Sequence, residues 1–292
     1  MDHTQKILDY FAENSERHHL VVTPHAPPVE RASHSIDIAL ESIWDDTDIR
    51  DTIMGLKACA EENTLISAGD ATKLELSETF CLSIKGNGRF RVTYLTQRGS
   101  MSFSIKRVPF VIQSCDELQI DSEIIERTLD VLCDPNGGIV AIFGPCADSN
   151  SKLAYALLKR VNSTKRQIIL IIERELTHLM RHDNSIVIQR ELNSDCESFD
   201  AGIRESLTLN PDMIFVGDIQ STDCIPSMER AAETGTSIVL SLVANDREAF
   251  LHILKSICGD QYPIFGRRTR EIIEVRPLPD KGIRAAFAAK SK

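Results

Sequence analysis

The chain has 292 residues and a formal net charge of −10, from 43 acidic and 33 basic side chains. A chain this acidic lacks the basic surface that binds nucleic acids, so we expect no nucleic acid partner. No apolar run is long enough to span a bilayer, and the N-terminus holds no signal-peptide core. Eight cysteines without a C-x-x-C pair indicate reduced thiols rather than disulfides or a zinc site. We therefore expect a cytoplasmic protein.

The first third of the chain, residues 1–112, is predicted to form a small α+β domain. Apolar residues at helical spacing around Ile7 predict a first helix, and the run at 20–22 predicts a strand that ends in a proline-rich turn. A second helix is predicted over 46–62. Apolar and polar residues then alternate on both sides of the Asn-Gly turn at 87–88, which predicts antiparallel strands.

Residues 113–292 show a different pattern, in which continuous apolar runs alternate with helical segments. The runs are found at 139–143, 168–172, 213–216 and 237–240. Strands of this kind are buried on both faces, so we predict an α/β domain with a mostly parallel sheet and crossover helices. Because ligands gather at the carboxyl ends of parallel strands, functional residues should lie just after these runs. The segments concerned are 144–152, 173–175, 217–220 and 241–245.

The segment after the first apolar run has the frame of a phosphate-binding loop. Such a loop reads G-x-x-x-x-G-K-[ST], in which backbone N–H groups surround the phosphates and the lysine supplies positive charge. Gly144 and Ser151 fit this frame, and a helix is predicted over 151–161. However, Ser149 stands in place of the second glycine and Asn150 in place of the lysine. These four residues form a degenerate nucleotide-binding loop.

We expect neither of two nearby charged residues to replace the missing lysine. Lys152 lies two positions further into the predicted helix, a rotation of about 200°, so its side chain should point away from the phosphate side. Asp148 should place a carboxylate inside the loop. At about 4 Å from a phosphate oxygen this repulsion is on the order of 4 kcal/mol at an effective dielectric constant near 20. Both effects act against phosphate binding.

Motifs in both domains match those of one family. In the second domain they are Gln189-Arg190-Glu191, Pro211-Asp212-Met213-Ile214-Phe215-Val216-Gly217-Asp218 and Ala231-Ala232-Glu233-Thr234-Gly235. In the first domain they are Gly88-Arg89-Phe90-Arg91-Val92 and Gln97-Arg98-Gly99. With these residues at the family's spacings, the chain resembles the secretion ATPase superfamily, and most closely the pilus-retraction ATPases of the PilT type.

The resemblance implies a PAS-like N-terminal domain over 1–112 and a RecA-like P-loop domain over 113–292. The helical C-terminal extension of active relatives is expected to be absent. The family also implies a ring of six subunits with nucleotide between neighbours. An active ATPase paralogue and an inner-membrane platform protein are the partners that the family suggests. The chain would then be cytoplasmic, or peripheral at the inner membrane through these partners.

Each catalytic position of the family corresponds to a residue of this sequence. The phosphate-loop lysine corresponds to Asn150, and the histidine of the histidine box corresponds to Val243. The acidic-box glutamate is retained as Glu173, but its aspartate partner corresponds to Arg174, which reverses the charge. The Walker B glutamate corresponds to Asp218, which is shorter by one methylene. Because phosphoryl transfer depends on positioning and charge stabilisation, these changes together should leave no useful turnover.

Five arginines match positions that the family retains. Arg89, Arg91 and Arg98 are predicted on alternating strand positions of the first domain, where some of the family's arginines reach the nucleotide of a neighbouring subunit. Arg190 and Arg204 lie in the second domain. For the first three, the alternative is a solvated sheet face that makes weak ion pairs. Both interpretations stay open.

The sequence therefore predicts a non-catalytic relative of the retraction ATPases, a structural or regulatory partner in a type IV pilus or type II/IV secretion machine. No cofactor and no metal are expected, and His178 and His182 are interpreted as surface residues. The alternative is a slow ATPase that powers retraction or secretion, in which Glu173 and Asp218 act on ATP and Mg²⁺. Those two carboxylates could instead cap the segments that follow their strands.

Overall fold

A computed structural model describes residues 3–14, 17–31, 35–62, 74–220, 222–278 and 282–288. The chain divides into two compact units, Met1–Pro109 and Phe110–Lys292. The predicted fold class is confirmed, because the first unit is α+β and the second is α/β with a mostly parallel sheet. Within the described ranges, no helix has both the length and the apolar composition that crossing a bilayer requires.

The first unit packs two helices against a six-stranded antiparallel sheet. The helices are α1, His3–Glu13, and α2, Asp46–Glu62. The strands are β1, His19–Val22; β2, Val29–Arg31; β3, Ile36–Ile38; β4, Ser77–Ile84; β5, Gly88–Gln97; and β6, Ser100–Val108. They lie in the order β3-β2-β1-β6-β5-β4. Ile7 and Phe11 of α1 and Ile53 of α2 share one apolar cluster with Phe90 and Tyr94 of β5.

Arg107 of β6 fastens α1 to the turn between β4 and β5. Its guanidinium group donates hydrogen bonds to the carbonyls of Phe11, Arg17 (3.1 Å) and Asn87 (2.8 Å). The Phe11 carbonyl lies in the last turn of α1, where the helix has no further N–H group to pair with it. The guanidinium group also lies 5.0 Å from the ring centroid of Phe90. Burial lowers the pKa of Arg107, since carbonyl dipoles and aromatic rings replace part of its water.

The second unit is a seven-stranded sheet with helices on both faces. Its strands are β7, Gly138–Gly144; β8, Ile168–Glu173; β9, Ile186–Glu191; β10, Met213–Gly217; β11, Ser237–Val243; β12, Thr269–Pro277; and β13, Ile283–Phe287. Its helices are α3, Ser122–Leu132; α4, Ala147–Thr164; α5, Phe199–Ser206; α6, Ile225–Glu233; α7, Arg247–Cys258; and α8, Tyr262–Arg268. The order is β13-β12-β7-β11-β10-β8-β9, and only β12 and β13 pair antiparallel.

Both faces of this sheet are covered, which is why its central strands are continuous apolar runs. Every residue of β7 and of β10 is buried. One apolar cluster joins the sheet to α3 and α4, and a second joins its other face to α5, α6, α7 and α8. Ile142 belongs to the first cluster and Phe143 to the second, as the alternation of a strand requires. This core holds the carboxyl ends of the strands in fixed positions.

Replacing Arg107 by alanine is expected to destabilise the first unit by about 2–4 kcal/mol, because three carbonyl groups lose a charged donor. The measurement is urea unfolding followed by tryptophan fluorescence, since Trp44 is the chain's single tryptophan and is fully buried in this unit. Lys106→Ala is the matched control, because Lys106 is exposed and points to the opposite face of the same strand. Equal unfolding midpoints for the two variants would contradict the assignment.

Candidate functional site

Four strands of the second unit end at the same edge of the sheet. Gly144, the last residue of β7, pairs with Val243 of β11, and Gly217 of β10 pairs with Glu173 of β8. Because these strands are parallel, the segments that follow them are neighbours in space. The structure thus brings together the four segments in which the sequence predicts functional residues. We call this edge, at Gly144, Glu173, Gly217 and Val243, the strand-end site.

The segment after β7 forms a helix instead of an open phosphate loop. α4 begins at Ala147, whereas the sequence predicts a start at Ser151. Ser149, Asn150 and Ser151 are therefore helical, and each is at most 5% exposed. The N–H group of Asn150 donates to the carbonyl of Cys146 at 3.1 Å and is thus committed within the chain. The burial of these three residues shows the physical reason for the early start, which is packing of the segment as a helix where glycine at position 149 would allow an open turn.

The side chain of Asn150 bridges the ends of β7 and β11. Its Nδ2 group donates to the carbonyl of Leu242 at 3.0 Å and, more weakly, to the carbonyl of Gly144 at 3.4 Å. Its Oδ1 atom is buried and has no hydrogen-bond partner among the described residues. A Cβ atom on Gly144 would lie 2.7 Å from that oxygen and 2.2 Å from the carbonyl oxygen of Val275, so only glycine fits there. The Asn150 amide therefore occupies the space between the two strand ends.

Asp148 and Lys152 form an ion pair within α4. Lys152 Nζ lies 2.9 Å from Asp148 Oδ2, and the two residues are one helical turn apart. The expectation that Asp148 brings an uncompensated charge into an open loop is therefore wrong, because α4 already includes Asp148 and places a lysine beside it. The side chain of Asp148 is also 63% exposed, so water screens its charge. Repulsion from Asp148 is consequently weaker than the sequence predicts.

Glu173 is buried at the end of β8 and hydrogen-bonded within the chain. Its carboxylate accepts from the hydroxyl of Tyr155 at 2.7 Å, from the N–H group of Thr177 at 3.1 Å and from the Thr177 hydroxyl at 3.2 Å. Burial raises the pKa of Glu173 to about 7, and the nearby Glu191 acts in the same direction. Gly217 makes room for this side chain, since a Cβ atom there would lie 2.7 Å from Glu173 Cγ. Glu173 thus caps the segment that follows its strand.

Tyr155 and Gln189 extend this network toward the edge of the sheet. Gln189 Nε2 donates to the Tyr155 hydroxyl at 3.3 Å and to the carbonyl of His178 at 2.8 Å. The N–H group of Met180 donates to Gln189 Oε1 at 2.7 Å. His178 is half-buried rather than a fully exposed surface residue, because its ring packs 5.0 Å from that of Tyr155, and burial lowers its pKa. His182 is exposed, as predicted, and the described residues contain no cluster that could hold a metal ion.

Asp218 and Val243 complete the strand-end site. Asp218 has a left-handed backbone (φ 50°), and its N–H group donates to the hydroxyl of Ser241 at 3.0 Å. Its carboxylate accepts from Gln220 Nε2 at 3.0 Å and is partly exposed. Val243 is 40% exposed, and its side chain can neither donate nor accept a proton. Asp218 is therefore the more accessible of the two predicted carboxylates, and Glu173 the more enclosed.

Arg190 and Arg204 bond to acidic and carbonyl groups of their own unit. Arg190 lies 2.5 Å from the carboxylate of Glu205 and donates to the carbonyl of Asp195 at 2.7 Å. Arg204 pairs with Asp200, one helical turn earlier, at 2.8 Å. Both arginine side chains therefore have bonding partners within this chain. A role for either arginine at a subunit boundary remains a prediction.

Two of the three first-unit arginines lie on β5, and the third lies in the turn after it. Arg89 and Arg91 flank the core residue Phe90, so both point to the face of the sheet opposite the helices. Arg91 is only 7% exposed, which does not match a solvated sheet face. Arg98 follows the strand end at Gln97 and has φ 50°. It therefore lies outside the row of alternating strand positions that the sequence predicts.

Comparison with known proteins identifies the family. Residues 77–266 match the model of the type II/IV secretion system protein family, and since this is more than half of the chain, the chain belongs to that family. It is 24% identical over 244 residues to the type IV pilus ATPase PilU of Pseudomonas aeruginosa, covering 83% of this chain and 61% of PilU. It is 31% identical over 160 residues to the type IV pilus retractation ATPase PilT of the same species, covering 55% and 45%. The chain thus spans less than two thirds of these curated relatives.

Two solved structures share the fold. The crystal structure of the pilus retraction motor PilT with bound ADP gives a TM-score of 0.80 at 23% identity, covering 100% of this chain and 84% of that chain. The ATPase DotB of Legionella pneumophila gives a TM-score of 0.71 at 17% identity, covering 97% and 79%. At these identities the likeness establishes the fold. The resemblance seen in the sequence motifs is therefore confirmed for family and fold.

The residues that hold Asn150 and Glu173 in place were not predicted from the sequence. Tyr155 lies on a different element from Glu173 and 18 residues before it, so no local spacing links the two. Leu242 contributes a backbone carbonyl, which any residue would offer, 92 residues from Asn150. The sequence did single out the position of Gln189, because this residue belongs to the Gln189-Arg190-Glu191 motif. The motif does not predict which residues the side chain of Gln189 contacts.

Replacing Glu173 by glutamine is expected to change how stability depends on pH. Because the folded-state pKa of Glu173 is raised from 4.5 to about 7, its contribution to stability is fully present at low pH and is lost as the pH rises through that range. Glutamine keeps an oxygen that accepts from Tyr155 and cannot ionise. Relative to the wild type, the variant should therefore gain about 2–3 kcal/mol of unfolding free energy between pH 5 and pH 8. The free energy of unfolding at each pH is measured by urea unfolding followed by circular dichroism.

Glu197→Gln is the matched control for that experiment. Glu197 is an exposed glutamate of the same unit, so its replacement removes one carboxylate without touching the buried network around Glu173. If Glu173→Gln gave the same dependence on pH as the control, Glu173 would titrate in its ordinary range. The burial argument for Glu173 would then be wrong.

Proposed function

We propose that this chain is a non-catalytic subunit of a type IV pilus or a type II/IV secretion machine. The observation that carries the proposal is the side chain of Asn150, which takes the place of the phosphate-loop lysine and bonds to the carbonyls of Leu242 and Gly144. A working phosphate loop directs a cation and free N–H groups at its ligand. This segment has no lysine at that position and bonds the Asn150 N–H group within α4. We infer that neither ATP nor Mg²⁺ fits here.

Electrostatics at the strand-end site also support the proposal. A triphosphate between β7 and β11 would meet the unpartnered Oδ1 atom of Asn150, which carries partial negative charge. This oxygen opposes an anion at the position where the family pattern has a lysine that attracts one.

The alternative of a slow ATPase depends on Glu173 and Asp218. The contacts of Glu173 argue against a catalytic role, because its carboxylate already bonds to Tyr155 and Thr177 in a buried site. A group held in this way is poorly placed to activate water or to reach Mg²⁺. Asp218 is partly exposed and stays the stronger candidate of the two. One carboxylate without the lysine should give far slower turnover than an active relative.

In such a machine, the chain would join a ring of six subunits with an active ATPase paralogue, or dock on the inner-membrane platform protein. Family membership supports this part of the proposal, as does the similarity to PilU and PilT, which are type IV pilus ATPases. Both units also keep extensive apolar cores. The fold needed for assembly is thus retained. The chain would work in the cytoplasm, at the inner face of the membrane.

Titration calorimetry of the purified chain with Mg-ATP is expected to show no binding up to about 1 mM nucleotide, because the cation that grips the phosphates is missing. A malachite-green assay should show no phosphate release above the blank. PilT of Pseudomonas aeruginosa, prepared in the same way, serves as the positive control. A micromolar dissociation constant with turnover near one per second would overturn the proposal and favour the slow ATPase.

Affinity capture of the tagged chain, expressed from its own locus, should recover a pilus or secretion ATPase or a platform protein of the same machine. The physical reason is that the fold is retained although the catalytic positions are changed. Mass spectrometry against a tag-only control measures the enrichment. Background levels for every component of such a machine would contradict the assembly role, whatever the nucleotide assays show.

A further inference from the structure

α4 carries two buried polar side chains that reach the sheet. Asn150 lies in its first turn and is 1% exposed, and Tyr155 lies in its third turn and is fully buried. Polar groups buried to this degree are bonded in nearly all proteins, because an unpaired group is unfavourable in the interior. Their partners therefore restrict where the helix can lie. The two side chains bond to different strands.

Asn150 holds the N-terminal end of α4 to β7 and β11. Its Nδ2 group donates to the carbonyls of Leu242 and Gly144, as described above. The carbonyl of Gly144 also accepts from the N–H group of Ala244 at 3.0 Å, so the segment leaving β11 is tied to the same atom. The start of α4 cannot move away from either strand without leaving a buried carbonyl with fewer donors.

Tyr155 holds the same helix to β8 and β9. Its hydroxyl donates to Glu173 on β8 at 2.7 Å and accepts from Gln189 on β9 at 3.3 Å. Its ring packs edge-on against Phe215 of β10, with ring centroids 5.9 Å apart. With the bonds of Asn150, these contacts join α4 to five strands of the sheet. The helix is thus anchored on both sides of the strand-end site.

We propose that Asn150 and Tyr155 together clamp α4 in one position, so that the strand-end site stays closed without any ligand. This inference rests on the proposed function and deepens it. A subunit clamped by its own side chains has the same conformation whether or not nucleotide is present in solution. Such a subunit would be a rigid part of its machine whose conformation does not change when ATP binds to the other subunits. We call these two residues the α4 clamp.

Hydrogen–deuterium exchange of the full chain tests the α4 clamp. In Asn150→Ala, the amides at 150–152 and at 244 should exchange at least about tenfold faster than in the wild type, because Asn150 holds both segments. In Tyr155→Phe, which keeps the ring and loses only the hydroxyl, the amide of Thr177 should exchange faster. That amide donates to Glu173, the partner of Tyr155.

Asn162→Ala is the matched control. Asn162 is a buried asparagine at the opposite end of α4, where its Nδ2 group donates to the carbonyl of Arg181 at 2.8 Å. Its replacement removes the same chemical group from the same helix. It should leave the amides at 150–152 and at 244 at wild-type rates, and speed exchange near residues 181–185 instead. A general loosening of α4 by any asparagine replacement would appear as faster exchange in all of these segments and would overturn the clamp.

The outcomes separate the α4 clamp from the proposed function. Wild-type exchange at 150–152 and 244 in Asn150→Ala would overturn the clamp. If that variant does not fold, Tyr155→Phe decides, and an unchanged rate at Thr177 would overturn the clamp equally. Mg-ATP added to the wild type tests the proposed function: slower exchange at 150–152 would show nucleotide binding and contradict it. Unchanged exchange with Mg-ATP, together with faster exchange in both variants, supports the two together.

Discussion

The side chain of Asn150 joins the ends of β7 and β11. Its Nδ2 group donates to the carbonyl of Leu242 and, more weakly, to the carbonyl of Gly144, which also accepts from the N–H group of Ala244. Buried carbonyls without donors destabilise a fold, so this contact constrains everything around it. The uncharged amide donates to both carbonyls while bringing no positive charge to the site. α4 can then begin directly after the strand, and Ser149 and Ser151 become part of a buried helix. The segment keeps the frame of a phosphate loop but bonds to itself.

Internal contacts also hold the side chain at the end of β8. The carboxylate of Glu173 bonds to Tyr155 and Thr177 in the interior. The neighbouring strand accommodates it through Gly217, where any side chain would collide with it. At both strand ends, groups that could face a ligand complete the core instead. These internal contacts are the support for the proposal that the chain serves in assembly rather than in turnover.

Much of the architecture could be predicted from the sequence, because the apolar runs leave few alternatives. The helix at 46–62 and the four central parallel strands are found where the spacing places them, and the sheet brings the four predicted segments to one edge. The start of α4 could not be predicted, since the phosphate-loop frame and a helix compete for the same residues and only tertiary packing decides. The directions of Asn150 and Glu173 depend on partners 92 and 18 residues away, which no local pattern encodes.

The most direct test of the central claim is a crystal structure of the chain grown with a non-hydrolysable ATP analogue and Mg²⁺. We predict no ordered phosphates over residues 144–151, with Nδ2 of Asn150 still within hydrogen-bond distance of the carbonyl of Leu242. Ordered β- and γ-phosphates over that segment, with the Asn150 side chain turned away from β11, would contradict the account.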